Sequence, residues 1–223
     1  MKYVIGNWKC YPSNLDKAQE LLNSLSDKLE IKKEVEVVVC PPFVYLPEAS
    51  ENFKLKLGAQ NCFWKKEGSY TGEVSASMLK DLHCKYVIIG HSERRDLFNE
   101  KGEIIKKKIK VCLEEGLIPI LCIDKISQIK NVLEEINEKV IIAYEPLSAI
   151  GSGEPVDWEK AKEVNLKIKN VLSSNYSVLY GGSVNSKNAL NFIDKAQFDG
   201  VLVGGNSLKP QEFVKIIKKV DEI

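Results

Sequence analysis

Side chains able to move protons or hold anions stand just beyond several short apolar runs of this sequence. Asn7, Trp8 and Lys9 follow YVIG, His91, Ser92 and Glu93 follow YVIIG, and Glu145 follows VIIAY. An ammonium, an imidazole and a carboxylate at three strand ends are the right types for proton transfer beside a carbonyl. Glycine-rich turns stand at comparable places: Ile150-Gly151-Ser152-Gly153, Gly181-Gly182-Ser183 and Gly204-Gly205-Asn206. Their backbone N–H groups are free to approach an anion. None of these features is telling alone. A strand-end glutamate is more often solvated or ion-paired, a Gly-Gly pair is more often only a turn, and Lys9 is one of thirty lysines. Their joint placement carries the argument, because unrelated polar residues would spread over both ends of the strands. The two arginines, Arg94 and Arg95, are adjacent and close to His91 in a chain that otherwise uses lysine. Arginine offers a planar fork that lysine lacks.

The elements that must position these groups alternate along the chain. Apolar runs begin near Tyr3, Val35, Lys56, Tyr86, Ile118, Val140, Ser177 and Gly200. Helical patterns lie between them. Ser13 and Asp16 read as a capping box for a helix whose face is Leu15, Ala18, Leu21, Leu22 and Leu25. A helix over 101–115 should stop at Gly116, and one over 158–172 is entered from Pro155 and Asp157. The last starts around Ser207, Pro210 and Glu212 and packs through Phe213, Val214, Ile216 and Ile217. Runs such as VEVVVC and GVLVGG are nearly continuous, as expected of parallel strands covered by helices. Eight such strands fit a closed barrel or an open doubly wound sheet. The lack of a G-x-G-x-x-G turn after the first strand favours the barrel.

Composition narrows the function classes. The 223 residues are 44% hydrophobic and 28% charged, with a formal net charge of +1. That is globular, without the basic excess of a nucleic-acid or anionic-membrane partner. No apolar run is long enough to span a bilayer. The N-terminus reads as a strand start rather than a signal peptide. Cys10, Cys40, Cys62, Cys84, Cys112 and Cys122 show no metal-ligand spacing, and several sit inside apolar runs. They read as reduced structural thiols of a cytoplasmic protein. No linker divides the chain, so residues 1–223 read as one domain.

Longer motifs add a family resemblance. GNWK at 6–9, CPPF at 40–43, GAQN at 58–61, TGEVS at 71–75, YVIIGHSERR at 86–95, AYEP at 143–146, AIGSG at 149–153, YGGSV at 180–184 and LVGGNSLKP at 202–210 resemble the triosephosphate isomerase family. The likeness covers almost the whole chain in the family's order. It implies an α/β fold of the (β/α)8, or TIM-barrel, type. The activity it implies is the interconversion of dihydroxyacetone phosphate and glyceraldehyde 3-phosphate through an enediolate, in glycolysis and gluconeogenesis. No metal or organic cofactor is expected. Carried over by position, Glu145 is the base, His91 the electrophile and proton shuttle, and Lys9 with Asn7 the substrate-contacting pair. Gly151, Ser183, Gly204 and Gly205 hold the phosphate. Glu93 and Ser92 support the site, and Tyr180 matches a lid-latching tyrosine. Arg94 pairs locally near a subunit contact. The intact segment from Gly58 to Ser75, with Thr71 at its tip, implies a homodimer. No nucleic-acid or membrane partner is implied.

Departures from the pattern are local. Glu145 comes only 23 positions after Cys122, so the fifth helix should be short, about 126–136, with Ile126, Ile129, Leu133 and Ile136 inward. Ser148 stands where the lid's first hinge usually has Trp, Tyr11 where a small polar residue is usual, and Asn206 where a small one is usual. The Asn206 amide either helps or crowds the phosphate turn. A catalytically silent barrel that binds sugar phosphates or a partner protein would require loss of Lys9, His91 or Glu145. An aldolase-type lyase would require a Schiff-base lysine at an inner position within a strand core. Neither pattern is present.

Overall fold

The computed structural model describes residues 1–26, 29, 35–53, 55–134, 136, 138–149, 153–172 and 176–223. The apolar runs form eight parallel strands: β1 (Lys2–Asn7), β2 (Val35–Cys40), β3 (Lys56–Ala59), β4 (Tyr86–Ile89), β5 (Ile118–Ile123), β6 (Ile141–Tyr144), β7 (Ser177–Tyr180) and β8 (Gly200–Val203). Each pairs with its neighbour in sequence, and β8 returns to β1 with Val4 beside Val201. The sheet is therefore a closed barrel, and the open alternative falls.

Alternation along each strand divides the core in two. Tyr3, Ile5, Val38, Cys40, Ile88, Ile120, Cys122, Ala143, Leu179 and Leu202 fill the barrel interior. Their neighbours, such as Val4, Val39, Val87 and Ile89, face the helices. Both faces of the strands are buried, which is why the runs lack in–out alternation in polarity. Among the described residues the helices are α1 (Leu15–Ser26), α2 (Leu46–Asn52), α3 (Ala76–Asp81), α4 (Ser92–Leu97), α5 (Gly102–Glu114), α6 (Ser127–Leu133), α7 (Trp158–Val171) and α8 (Pro210–Asp221). A short π-turn, Asn191–Lys195, packs between β7 and β8.

Local signals act largely as the sequence predicts. Gly116, at φ 69°, ends α5, and Asp157 Oδ1 accepts the Glu159 N–H at 2.8 Å to start α7. The cap of α1 moves by one residue. Asn14 Oδ1, not Ser13, accepts the Lys17 N–H at 3.0 Å. Leu15 is exposed as a result, and the buried face is Ala18, Leu22 and Leu25. The helix after β5 is shorter than the predicted 126–136. It ends at Leu133, yet Ile136 stays buried because its N–H turns back to the Leu133 carbonyl at 3.0 Å.

Polar chemistry closes the barrel floor. Glu36 lies on the inward face of β2 and is 5% exposed. Its carboxylate accepts from Lys56 Nζ at 2.5 Å, Tyr86 Oη at 2.6 Å and Lys85 Nζ at 2.9 Å. Burial pushes this carboxyl up, but the three donors outweigh burial and hold it at about 2. After β3 the chain leaves the barrel as a long excursion. Its base is tied by the Phe63 N–H to the Val74 carbonyl at 2.8 Å, and residues 65–73 are exposed.

Candidate active site

The other end of the barrel is built from the strand ends picked out by sequence. Beyond β4 the chain turns at Gly90 and enters α4 through His91. His91 Nδ1 accepts the Glu93 backbone N–H at 3.3 Å. A nitrogen that accepts carries no proton, so the hydrogen-bond pattern assigns the ring as neutral with its proton on Nε2. That Nε2 lies 3.2 Å from Glu145 Oε1.

Glu145, at the end of β6, is 2% exposed. Its Oε2 accepts the Ser92 N–H at 3.1 Å. Cys122 packs against the same carboxylate from β5. Burial first, and then the Glu145 charge, push the Cys122 thiol well above its ordinary range, so it remains a protonated donor to that carboxylate. Gly181 completes the seat, since a Cβ there would lie 3.0 Å from Glu145 Cγ. Glu145 thus presents a buried carboxylate with few donors to the cavity.

Beyond β1, Asn7 Oδ1 accepts the Lys9 N–H at 3.0 Å and fixes the turn. Lys9 adopts φ 55°, the left-handed region that non-glycine residues rarely enter. This turns its ammonium toward the mouth, where Nζ lies 2.5 Å from Glu93 Oε1.

Asn7, Lys9, His91, Glu145, Ser183, Gly204 and Gly205 all line one cavity of about 310 Å³. One wall is an ammonium, an imidazole and a carboxylate; the opposite wall is two glycine-rich turns. Such a cavity suits a small anionic ligand with an acidic C–H beside a carbonyl. Ser183 also ties its turn to the segment after β6, with Oγ donating to the Ala149 carbonyl at 2.7 Å. Glu93 and Ser92 stand behind the cavity, each bonded to one of its charged groups. Tyr180 is fully buried and stacked on Phe192, and its hydroxyl accepts the Val156 N–H at 3.3 Å just before α7. Burial pushes that phenol up to about 12. Gly151, the remaining predicted contact, lies outside the described residues together with Ile150 and Ser152.

Other residues outside the predicted site also contribute. Arg95 Nε donates to the Gly90 carbonyl at 2.7 Å and its Nη2 to the Cys122 carbonyl at 2.9 Å, pinning the ends of β4 and β5 beside His91 and Glu145. Of the two adjacent arginines, it is the one that reaches the strand ends. Arg94 instead pairs with Glu100 at 2.6 Å. Val184, Asn185, Asn206 and Lys209 also line the cavity. The Asn206 amide does not crowd the turn, because it donates to the Val184 carbonyl at 2.6 Å.

The sequence profile of triosephosphate isomerase matches residues 2–220. The triosephosphate isomerase of Dictyoglomus thermophilum is 43% identical, over 97% of this chain and 98% of its own length. Those of Dictyoglomus turgidum and Aquifex aeolicus are 41% and 40% identical, again over 97% of this chain and 98% of theirs.

Proposed function

The chain belongs to the triosephosphate isomerase family, and from that premise we propose that Glu145, His91 and Lys9 carry the reaction at the mouth of its barrel. The protein is an isomerase that interconverts dihydroxyacetone phosphate and D-glyceraldehyde 3-phosphate, a step of glycolysis and gluconeogenesis. The phosphate rests on the backbone N–H groups of Gly151, Ser183, Gly204 and Gly205. The carbon next to the carbonyl then faces Glu145. The carboxylate removes one proton from that carbon, and the C–H electron pair moves through the C–C bond onto the carbonyl oxygen. His91 Nε2–H and the Lys9 ammonium meet the charge as it forms. His91 passes a proton between the two oxygens of the enediolate, and Glu145 returns its proton to the neighbouring carbon. No atom is lost, and the ketose has become the aldose. Exclusion of water from the loaded cavity strengthens each of these interactions.

The observation that carries this reading is the 3.2 Å approach of His91 Nε2 to Glu145 Oε1, with His91 Nδ1 already occupied by the Glu93 N–H. A coupled assay on glyceraldehyde 3-phosphate with the purified chain tests it. Turnover is expected without added metal or cofactor, and its absence overturns the assignment.

The excursion from Gly58 to Ser75 is the contact we assign to a homodimer. Its exposed Tyr70 is accompanied by exposed Tyr11, Val44, Met78, Leu97 and Phe98, large apolar groups that a partner surface would cover. Light scattering at micromolar concentration should give twice the 25.1 kDa chain mass. We take residues 1–223 as one domain, since β8 pairs with β1. No helix of the described residues is long and apolar enough to cross a membrane. A cytoplasmic setting accords with the free cysteines, five of them buried.

A further inference from the structure

The phosphate wall is made by two turns from different strands, and each must keep its N–H groups aimed at one point. The β7 turn is Gly181–Ser183 with Val184 behind it. The β8 turn runs from Gly204 into Gly205–Leu208. Backbone N–H groups bind an oxyanion well only when they are preorganised. The β7 turn is held from its own side by Asn188, whose Nδ2 donates to the Ser183 carbonyl at 3.0 Å. The next carbonyl, Val184, is held from across the cavity by Asn206 Nδ2 at 2.6 Å. The same carboxamide uses its oxygen as well, and Lys209 Nζ lies 3.3 Å from Asn206 Oδ1. Asn206 and Lys209 both line the cavity. One side chain thus joins the two turns and stations an ammonium at their rim.

We infer that Asn206 is a positioning residue for the phosphoryl end of the substrate, locking the two turns together and holding Lys209 where it adds positive charge to the anion site. This rests on the isomerase reading above. The Lys9 ammonium already pairs with Glu93. Lys209 is exposed at the rim of the same cavity and adds a second ammonium to its glycine-turn wall. The role is confined to the phosphate: Asn206 makes no contact with His91 or Glu145.

That confinement makes the test specific. Asn206→Ala removes a donor and an acceptor, and one hydrogen bond of this kind is worth up to roughly tenfold in binding. The ratio of kcat/KM for glyceraldehyde 3-phosphate to that for unphosphorylated glyceraldehyde should fall roughly fivefold to tenfold. The inhibition constant of inorganic phosphate should rise in step. Asn206→Asp keeps the shape but cannot donate to Val184 and adds negative charge, so its loss should be larger. Lys209→Met should weaken phosphate inhibition less and flatten its dependence on ionic strength. An unchanged ratio with unchanged phosphate inhibition in Asn206→Ala overturns the inference. So does a parallel fall for both substrates, which would mark a merely structural residue. Should Asn206→Ala unfold, the isosteric Asn206→Asp is read by the same two criteria. If the parent protein fails to isomerise at all, calorimetry with inorganic phosphate on parent and variants still decides the role of Asn206.

Discussion

Glu36 and Glu145 are buried glutamates at opposite ends of the barrel, and they are treated in opposite ways. At the floor, Glu36 accepts from two lysines and a tyrosine, so its charge is neutralised and its carboxyl held at about 2. At the mouth, Glu145 has a backbone N–H, a neutral imidazole and a thiol, with no cation in hydrogen-bond contact among the described residues. The floor carboxylate is saturated with donors and has nothing left to do except hold strands together. The mouth carboxylate is left short of donors and can take a proton. What separates stability from reactivity is the number and charge of the donors that neighbouring strands deliver.

The largest effect should come from exchanging each glutamate for its amide. Glu145→Gln should lower kcat by roughly a thousandfold, the scale of a lost general base, while inorganic phosphate still binds and the melting temperature is kept. Glu36→Gln should do the reverse. Its lysines are half exposed, so the loss is about 2 kcal/mol, a fall of roughly 4–8 °C in Tm, with kcat unchanged. If Glu36→Gln lowered kcat, or Glu145→Gln unfolded the barrel, the division between the two ends would be wrong.

A smaller effect is expected with acid. The Glu36 carboxyl is depressed from 4.5 to about 2, so its contribution is present above about 4.5 and is lost as the pH falls toward 2. Urea titrations between pH 5 and pH 2 should show parent stability falling faster than that of Glu36→Gln. Parallel slopes would show that the floor network is not what acid breaks.

The smallest effect concerns the lid's first hinge. Ser148 borders a hollow of about 330 Å³ shared with Asp124, Tyr144, Leu147, Val156 and Lys160. Ser148→Trp should fill part of it and tighten inhibition by phosphate roughly threefold, less than 1 kcal/mol. Equal inhibition and equal partitioning of the intermediate would make Ser148 simply a tolerated residue.

The frame of the molecule was legible in its sequence, because strands buried on both faces need nearly unbroken apolar runs. The predicted starts at Tyr3 and Val140 differ from β1 and β6 by one residue each, and the other six agree. Lys9, His91 and Glu145 were legible for a related reason: each directly follows such a run. What escaped notice depends on contacts between distant segments. Nothing near Asn206 announces that its amide reaches Val184, and nothing near Arg95 announces the Cys122 carbonyl. The short helices α2, α3 and α4 are six or seven residues each, too brief for a 3.6-residue period to show. Glu36 was hidden inside a run read as apolar, although an acid in a doubly buried strand should itself signal a buried network.

The left-handed backbone of Lys9 sets two kinds of selection against each other. A lysine there costs about 1 kcal/mol that a glycine would not. Lys9→Gly should therefore melt later than the parent and turn over far more slowly. Cycles of screening for heat tolerance alone would enrich that glycine and silently discard the ammonium. Screens that alternate heat with growth on a substrate needing the isomerase would hold the lysine in place. Position 9 thus works as an internal gauge, showing which of the two demands a lineage or a laboratory has been imposing.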